Sequence, residues 1–209
     1  MANKETDDDD NGALRPLSAT QARVLEQAAR RLHARRLRDL LPVRIATPRL
    51  VLRPPIRGDV PDLVRLADNR RIAEVLARLP TPYTRADGIA FVEIFAQRAD
   101  ERPYAITLND RFIGVVGFTF APDHDPELGY WLGEEHWGKG YMSEAVRALL
   151  NAAFAQPEFT RLRARVLASN AGSLNVLRKA GFKQLSDGVE TDIKGRPVVY
   201  FEQERPKWM

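Results

Sequence analysis

The chain has 209 residues, 44% of them hydrophobic and 29% charged, with a formal net charge of +4 and no cysteine. That length allows one good-sized core or one domain with an appendage, and the composition is that of a soluble globular protein. Disulfides, thiolate metal sites and a cysteine nucleophile are excluded, and the basic excess is too mild and too scattered to argue for nucleic acid.

Residues 1–17, which begin MANKETDDDD, are polar and acidic without periodic apolar positions, and a disordered tail is expected there. They lack the basic start and apolar middle of a secretory signal, and no apolar run is long enough to cross a bilayer. Cytoplasmic residence is the default expectation. Ser18 to Leu41 reads as one helix, capped by Ser18 or Thr20, with Val24, Ala28, Leu32, Leu37, Leu40 and Leu41 at helical spacing. Five arginines between Arg30 and Arg38 make it basic. A solvated surface helix is the plain reading, and a helix for a membrane surface or an acidic partner the sharper one. Pro42 ends it, which divides the chain into a helical extension over 18–42 and a domain over 43–209.

That domain opens on an alternating strand, RLVLRPP from Arg49 to Pro55, stopped by prolines. A helix follows with Asp59 as its cap and Pro61 in its first turn. A second helical stretch covers Arg70 to Leu79, and a third is capped by Thr84 and runs through Ala99. Strands Tyr104–Leu108 and Phe112–Ala121 form a hairpin through Asn109-Asp110, a polar pair suited to a tight turn. Strand Glu127–Leu132 precedes a helix from Tyr141 to Ala155. Strand Arg161–Ala168 precedes a helix capped by Asn170 and closed by Gly181. Short strands near Phe182–Leu185 and Val198–Glu204 complete a mixed α/β (α+β) sheet with helices on both faces, and Trp208 is expected to plug the far end of the core.

The corner WGKGYM, Trp137 to Met142, stands between a strand and a helix. A helix start has unpaired N–H groups and about half a positive charge, and glycines let the backbone approach a ligand closely. The combination is an anion site suited to phosphate. Three ligands compete. A phosphate-loop nucleotide site needs GxxxxGK[ST], which is absent. A dinucleotide site wants its glycines directly after the strand and an acid about twenty residues on, whereas Glu134 to Trp137 intervene and the next strand ends in Leu167-Ala168-Ser169. A coenzyme A diphosphate is the third.

Three stretches, TPRLVLRP (Thr47–Pro54), ELGYWLGEEHWGKGYMSEAV (Glu127–Val146) and NAGSLNVLRKAGF (Asn170–Phe182), resemble the GNAT superfamily of acetyl-CoA-dependent N-acetyltransferases. The nearer likeness is to the branch acting on ribosomal-protein N-terminal serine or alanine. The resemblance covers about Ile45 to Trp208. It implies a mostly antiparallel GNAT sheet splayed between the family's fourth and fifth strands, acetyl-CoA as co-substrate, no metal, and direct attack of a primary amine on the thioester. By this resemblance the N–H groups of Trp137, Gly138, Lys139, Gly140, Tyr141 and Met142 hold the diphosphate, with Lys139 adding charge. A backbone N–H at Leu132 or Gly133 polarises the thioester carbonyl. Asn170 is a helix cap and a cofactor contact. Glu127 is the candidate base, with His136 its rival. Ser173 is the candidate hydrogen-bond donor to the leaving sulfur, because Leu177 fills the slot where many family members place a tyrosine. Tyr83, Glu127 and Tyr130 are expected near the acceptor, with the loop from Arg78 to Thr84 shaping its pocket.

The function implied is N-acetyl transfer to a protein N-terminus or a small-molecule amine. The alternative is a non-catalytic acyl-CoA-binding module on the same fold, and a third class is a basic-helix adaptor resting on Arg30–Arg38. A homodimer is compatible with the sequence; a membrane span and nucleic acid are not expected partners.

Overall fold

The computed structural model describes residues 17–76, 79–185 and 190–207. The expected acidic tail over residues 1–16, Arg78 and Trp208 lie outside them. Helix α1 (Ala19–Leu40) starts at a capping box: the Gln21 amide donates to Ser18 Oγ at 3.2 Å, and the Ser18 amide donates to Gln21 Oε1 at 2.9 Å. Its second half lies against the domain, where Ala29, Arg30 and His33 line a surface cavity with Phe120, His124 and Pro126. Val24 and Leu32 lie exposed, while Ala34 and Leu37 are buried. No helix among the described residues is long and apolar enough to cross a membrane.

Among the described residues nine strands form one sheet: β1 (Ile45–Ala46), β2 (Val51–Arg53), β3 (Glu101–Leu108), β4 (Arg111–Thr119), β5 (Glu127–Leu132), β6 (Arg161–Leu167), β7 (Lys183–Gln184), β8 (Glu190–Thr191) and β9 (Pro197–Glu204). Their spatial order is β1-β2-β3-β4-β5-β6-β9-β7, with β8 also on β9. Every pairing is antiparallel except β5 with β6. That exception is short: Glu127 faces Arg163, Leu128 faces Ala164, and the strands then part. The splay that the resemblance implied is therefore present, between β5 and β6.

Five helices follow α1 among the described residues: α2 (Val60–Ala67), α3 (Arg70–Val75), α4 (Arg85–Glu93), α5 (Tyr141–Phe154) and α6 (Ala171–Lys179). The period-two alternation of β3 sorts them to two faces. Tyr104 and Ile106 join α1 and α5 in the larger core, with Val146, Leu149 and Phe154. Ala105 points the other way, into a smaller core with Leu63 and Leu66 of α2 and Tyr83. Asn109 and Asp110 turn the β3–β4 hairpin with φ of 49° and 62°, the left-handed values such a two-residue loop demands. At the end of α6 the Phe182 amide reaches Leu177 O and the Gly181 amide reaches Arg178 O, a Schellman closure.

Several expectations need correction. Asp59 does not cap α2. It is buried, takes two hydrogen bonds from the Arg53 guanidinium at 2.8 and 2.7 Å and accepts the Ile56 amide at 2.9 Å. Helix α3 stops at Val75 and α4 at Glu93. Beyond α4 a 3-10 turn, Phe95–Gln97, takes the place of the helix expected through Ala99 and leaves Ile94 and Phe95 exposed.

The end of α1 is stitched to the sheet. Leu37 and Leu41 sit in the larger core, Arg102 Nη2 donates to Leu41 O at 3.0 Å, and the Tyr104 hydroxyl donates to Pro42 O at 2.5 Å. We propose that the separable extension ends near His33 rather than at residue 42. Removal of residues 1–33 should leave a cooperative transition near the full-length Tm. Removal of residues 1–42 deletes three buried side chains and should lower Tm by at least ~8 °C in calorimetry; equal Tm values for the two truncations would refute this boundary.

Candidate active site

The chain leaves β5 at Leu132, makes a 3-10 turn over Glu134–His136, and enters α5 at Tyr141. Gly138 and Gly140 hold φ of +73° and +78°, a region that costs an L side chain roughly 1–2 kcal/mol. Those two positive φ values turn the peptide planes outward. Among the described residues, the amides of 138–143 donate to no protein acceptor, and the first amide claimed by the helix ladder is Glu144, to Gly140 O at 3.1 Å. Six N–H groups thus lie unpaired at the positive end of a 14-residue helix. The cradle begins one residue later than expected, because the Trp137 amide donates to Glu134 O at 3.0 Å. Lys139 Nζ folds back to Glu135 O at 2.8 Å, so its charge closes the turn rather than reaching outward.

The loop is braced from below by the TPRL stretch. Glu144 Oε1 accepts from Thr47 Oγ1 at 2.6 Å and from the Arg49 amide at 3.0 Å; Oε2 accepts from Arg49 Nε at 2.6 Å. Arg49 Nη1 then donates to Lys139 O at 3.1 Å, and its guanidinium lies 4.6 Å from the Tyr141 ring centroid. With the Lys139 carbonyl held inward, the adjoining amides face out. Burial alone would raise the Glu144 carboxyl, but the hydrogen bonds from Thr47 and Arg49 outweigh it and hold the group below its ordinary value. Nothing in the sequence marked this brace: Thr47 and Glu144 stand 97 positions apart.

A cavity of about 600 Å3 runs from this loop to the start of α6, under α3. Its floor is the inner edge of β5. Hydrogen-bonded and non-bonded pairs alternate along an antiparallel ladder, and the Gly133 amide donates to Ile113 O at 2.9 Å. The Leu132 amide, one residue earlier, therefore faces the open side toward β6. Of the two expected carbonyl-polarising donors, Gly133 is already engaged and Leu132 is free to act. His136 lines the same cavity, half-buried; burial lowers its pKa, so the imidazole is neutral at pH 7, and its Nδ1 has no partner.

At the far end stand Tyr130, Asn170 and Ser173. Asn170 Oδ1 accepts the Ser173 amide at 3.0 Å, which is the cap of α6. The Tyr130 hydroxyl lies 2.8 Å from Ser173 Oγ and 3.1 Å from Ser173 O. Burial pushes the Tyr130 phenol up to about 12, so it keeps its proton. These three residues, with Val75 and Leu76 just above them, also line a second recess of about 160 Å3, on whose far wall lies Glu127. The Glu127 carboxylate pairs with Arg163 Nε at 3.1 Å, without hydrogen-bond alignment, and with Arg165 Nε at 3.9 Å. The two recesses meet at Tyr130 and Ser173. Tyr83 lies apart from both: it is 7% exposed within the smaller core, with its phenol pushed up to about 12 by burial, so the expectation of a substrate contact there is corrected.

An acetyltransferase (GNAT) domain profile matches residues 49–183. The probable N-acetyltransferase YjcK of Bacillus subtilis is 47% identical over 77 residues, 35% of this chain and 42% of that protein. The ribosomal-protein-serine acetyltransferase of Escherichia coli is 33% identical over 88 residues, 41% of this chain and 49% of that protein. The matched segments thus span less than half the length of these curated relatives. Among solved structures, a ribosomal alpha-N-protein acetyltransferase (RimL) in complex with coenzyme A superposes with a TM-score of 0.66 at 22% identity, over 78% of this chain and 97% of the other. That likeness is one of fold.

The brace has a pH signature. A carboxyl whose folded pKa is depressed contributes stability above its unfolded pKa, about 4.3 for Glu, and loses it as pH falls through the lower folded value. The Tm difference between wild type and Glu144→Gln should therefore be largest near neutral pH and shrink as pH falls below about 4. A difference independent of pH would show that the carboxylate charge does not hold the loop.

Proposed function

Because this chain belongs to the GNAT acetyltransferase family, we propose that it moves an acetyl group from acetyl-CoA to a primary amine by direct attack. The observation that carries the reading is the row of unpaired amides at 138–143, opening into a cavity that ends at Tyr130 and Ser173. The residues fit the cofactor: a diphosphate satisfies those amides, and the inner edge of β5 offers the pantetheine arm a strand to pair with. The acceptor is a protein N-terminus or a small-molecule amine.

In this mechanism the Leu132 amide donates to the thioester carbonyl as negative charge develops there. One such donor is typically worth about 3 kcal/mol. The amine enters through the smaller recess. Its nitrogen forms the C–N bond as the C–S bond breaks, and the electron pair leaves with sulfur. Glu127 takes the amine proton, directly or through water; its oxygens have more lone pairs than the two arginine contacts use. The thiolate receives a hydrogen bond from Ser173 Oγ. Either hydroxyl can donate across the Tyr130–Ser173 contact; when Tyr130 donates, the serine proton is free to point at sulfur. A serine is too weak an acid to surrender that proton outright, so the contact is a hydrogen bond and not a full transfer. Cysteine plays no part, in keeping with its absence from the sequence.

A second reading, a non-catalytic acyl-CoA-binding module, is favoured by Leu177, which is 1% exposed in the core and has no proton to offer. Both readings expect CoA to raise Tm. Only the enzyme releases CoA thiol when amines are supplied, and a screen of N-terminal peptides, polyamines and aminoglycosides that follows thiol release separates them. For the enzyme, Ser173→Ala should lower kcat at least ~10-fold with the acetyl-CoA KM within about twofold, and Glu127→Gln should lower kcat by a comparable factor. Unchanged kcat in either variant removes that residue from the mechanism.

A further inference from the structure

Helix α3 crosses the β5–β6 splay as a bridge tied down at both ends. At its start, Asn69 Oδ1 accepts the Arg71 amide at 2.9 Å, while Asn69 Nδ2 and the Arg71 guanidinium both bond the Glu134 carboxylate beside the anion loop. At its end, the carbonyls of Glu74 and Leu76 accept hydrogen bonds from the two terminal nitrogens of Arg196, 122 and 120 positions away. A guanidinium suits that place, since the last carbonyls of a helix lack intrahelical partners and carry partial negative charge.

Arg196 is itself locked. It lies in the turn between β8 and β9, and its Nε donates to Asp192 Oδ2 at 2.8 Å. Asp192 Oδ1 accepts the amides of Lys194 and Arg196, both at 2.9 Å, and the Asp192 side chain is 3% exposed. Those bonds hold the Asp192 carboxyl down to about 2, so it stays ionised throughout the range in which the protein would work. Both Arg196 and Asp192 line the smaller recess, and the segment that Arg196 pins, Val75-Leu76, overhangs both recesses where they meet.

We propose that Arg196 is the residue that limits acceptor size: by clamping the end of α3 to the β8–β9 turn, it keeps the acceptor recess narrow, so that a slender primary amine enters and a bulky, ring-bearing one does not. The recess of about 160 Å3 is smaller than ordinary ligand pockets, which begin near ~300 Å3. The clamp fixes a height and does not touch the reacting atoms, so Arg196 is a positioning residue. This inference rests on the acyl-transfer reading for its consequence but not for its geometry.

The test compares wild type, Arg196→Ala and Arg196→Lys in the full chain, with alanyl-alaninamide and tobramycin as acceptors, following thiol release. The kcat/KM ratio of the slender over the bulky acceptor should fall at least ~10-fold in Arg196→Ala, with the acetyl-CoA KM within about twofold of wild type. Arg196→Lys, which keeps the charge but not the two-carbonyl fork, should fall between. An unchanged ratio overturns the proposal. Hydrogen exchange of the peptide covering 70–76 provides a readout independent of turnover. Faster exchange in Arg196→Ala supports the clamp even if no amine is acetylated, an outcome that would sink the acyl-transfer reading alone. Wild-type exchange in Arg196→Ala sinks the clamp.

Discussion

An anion-binding backbone must keep hydrogen-bond donors unpaired in a molecule that pairs nearly all of them. The amides of 138–143 meet that demand at the first turn of α5, where the helix geometry itself leaves N–H groups without partners. Two left-handed glycines aim them outward. What keeps the loop from collapsing onto its own carbonyls is a second set of bonds, from Thr47 and Arg49 through Glu144, that hold the Lys139 carbonyl on the inner side. The donors stay free because their neighbours are satisfied elsewhere.

The same logic extends along β5. A strand between two partners has no backbone to offer a ligand. Here β5 is paired to β4 along its whole length, but to β6 at two positions only. Past Leu128 the divergence of β6 toward β9 opens an edge in the middle of the sheet rather than at its rim. Such an edge is protected from strand addition by the helices on either side, yet accessible to an extended arm entering from the α5 loop. Tyr130 and Leu132 project along it in the alternating register, one carrying a hydroxyl toward Ser173, the other an amide toward the gap.

Much of this was legible in the sequence, and the parts that were not share a cause. Local chemistry was readable: Ser18, Thr84 and Asn170 cap the helices assigned to them, Asn109-Asp110 turns the hairpin, and Gly138 and Gly140 take the positive φ that only glycine adopts freely. Each of those signals acts within four residues. The failures are tertiary. Asp59 has the residue type of a cap and instead buries its carboxylate against Arg53. Tyr83 lies in a stretch that the resemblance placed at the acceptor, yet packing against Leu63 and Leu66 takes it into the core. The Gly133 and Trp137 amides are claimed by Ile113 and Glu134, which only strand register and turn geometry decide. The helix expected from Thr84 through Ala99 ends at Glu93, and Ile94 and Phe95 beyond it face solvent.

The two recesses differ in how firmly each wall is held. The larger recess is built on α5 and β5, long elements fixed in the larger core by Val146, Leu149 and Leu128. The smaller recess has a six-residue helix for a roof and a two-strand turn for its outer wall. A short helix adds little stability of its own, so the position of α3 is set by its end contacts: Glu134, which belongs to the anion loop, and Arg196, which belongs to the last hairpin. Through Asn69 and Arg71, which both bond Glu134, the start of α3 is thus fixed to the turn that leads into the glycine loop, and its end to the last hairpin.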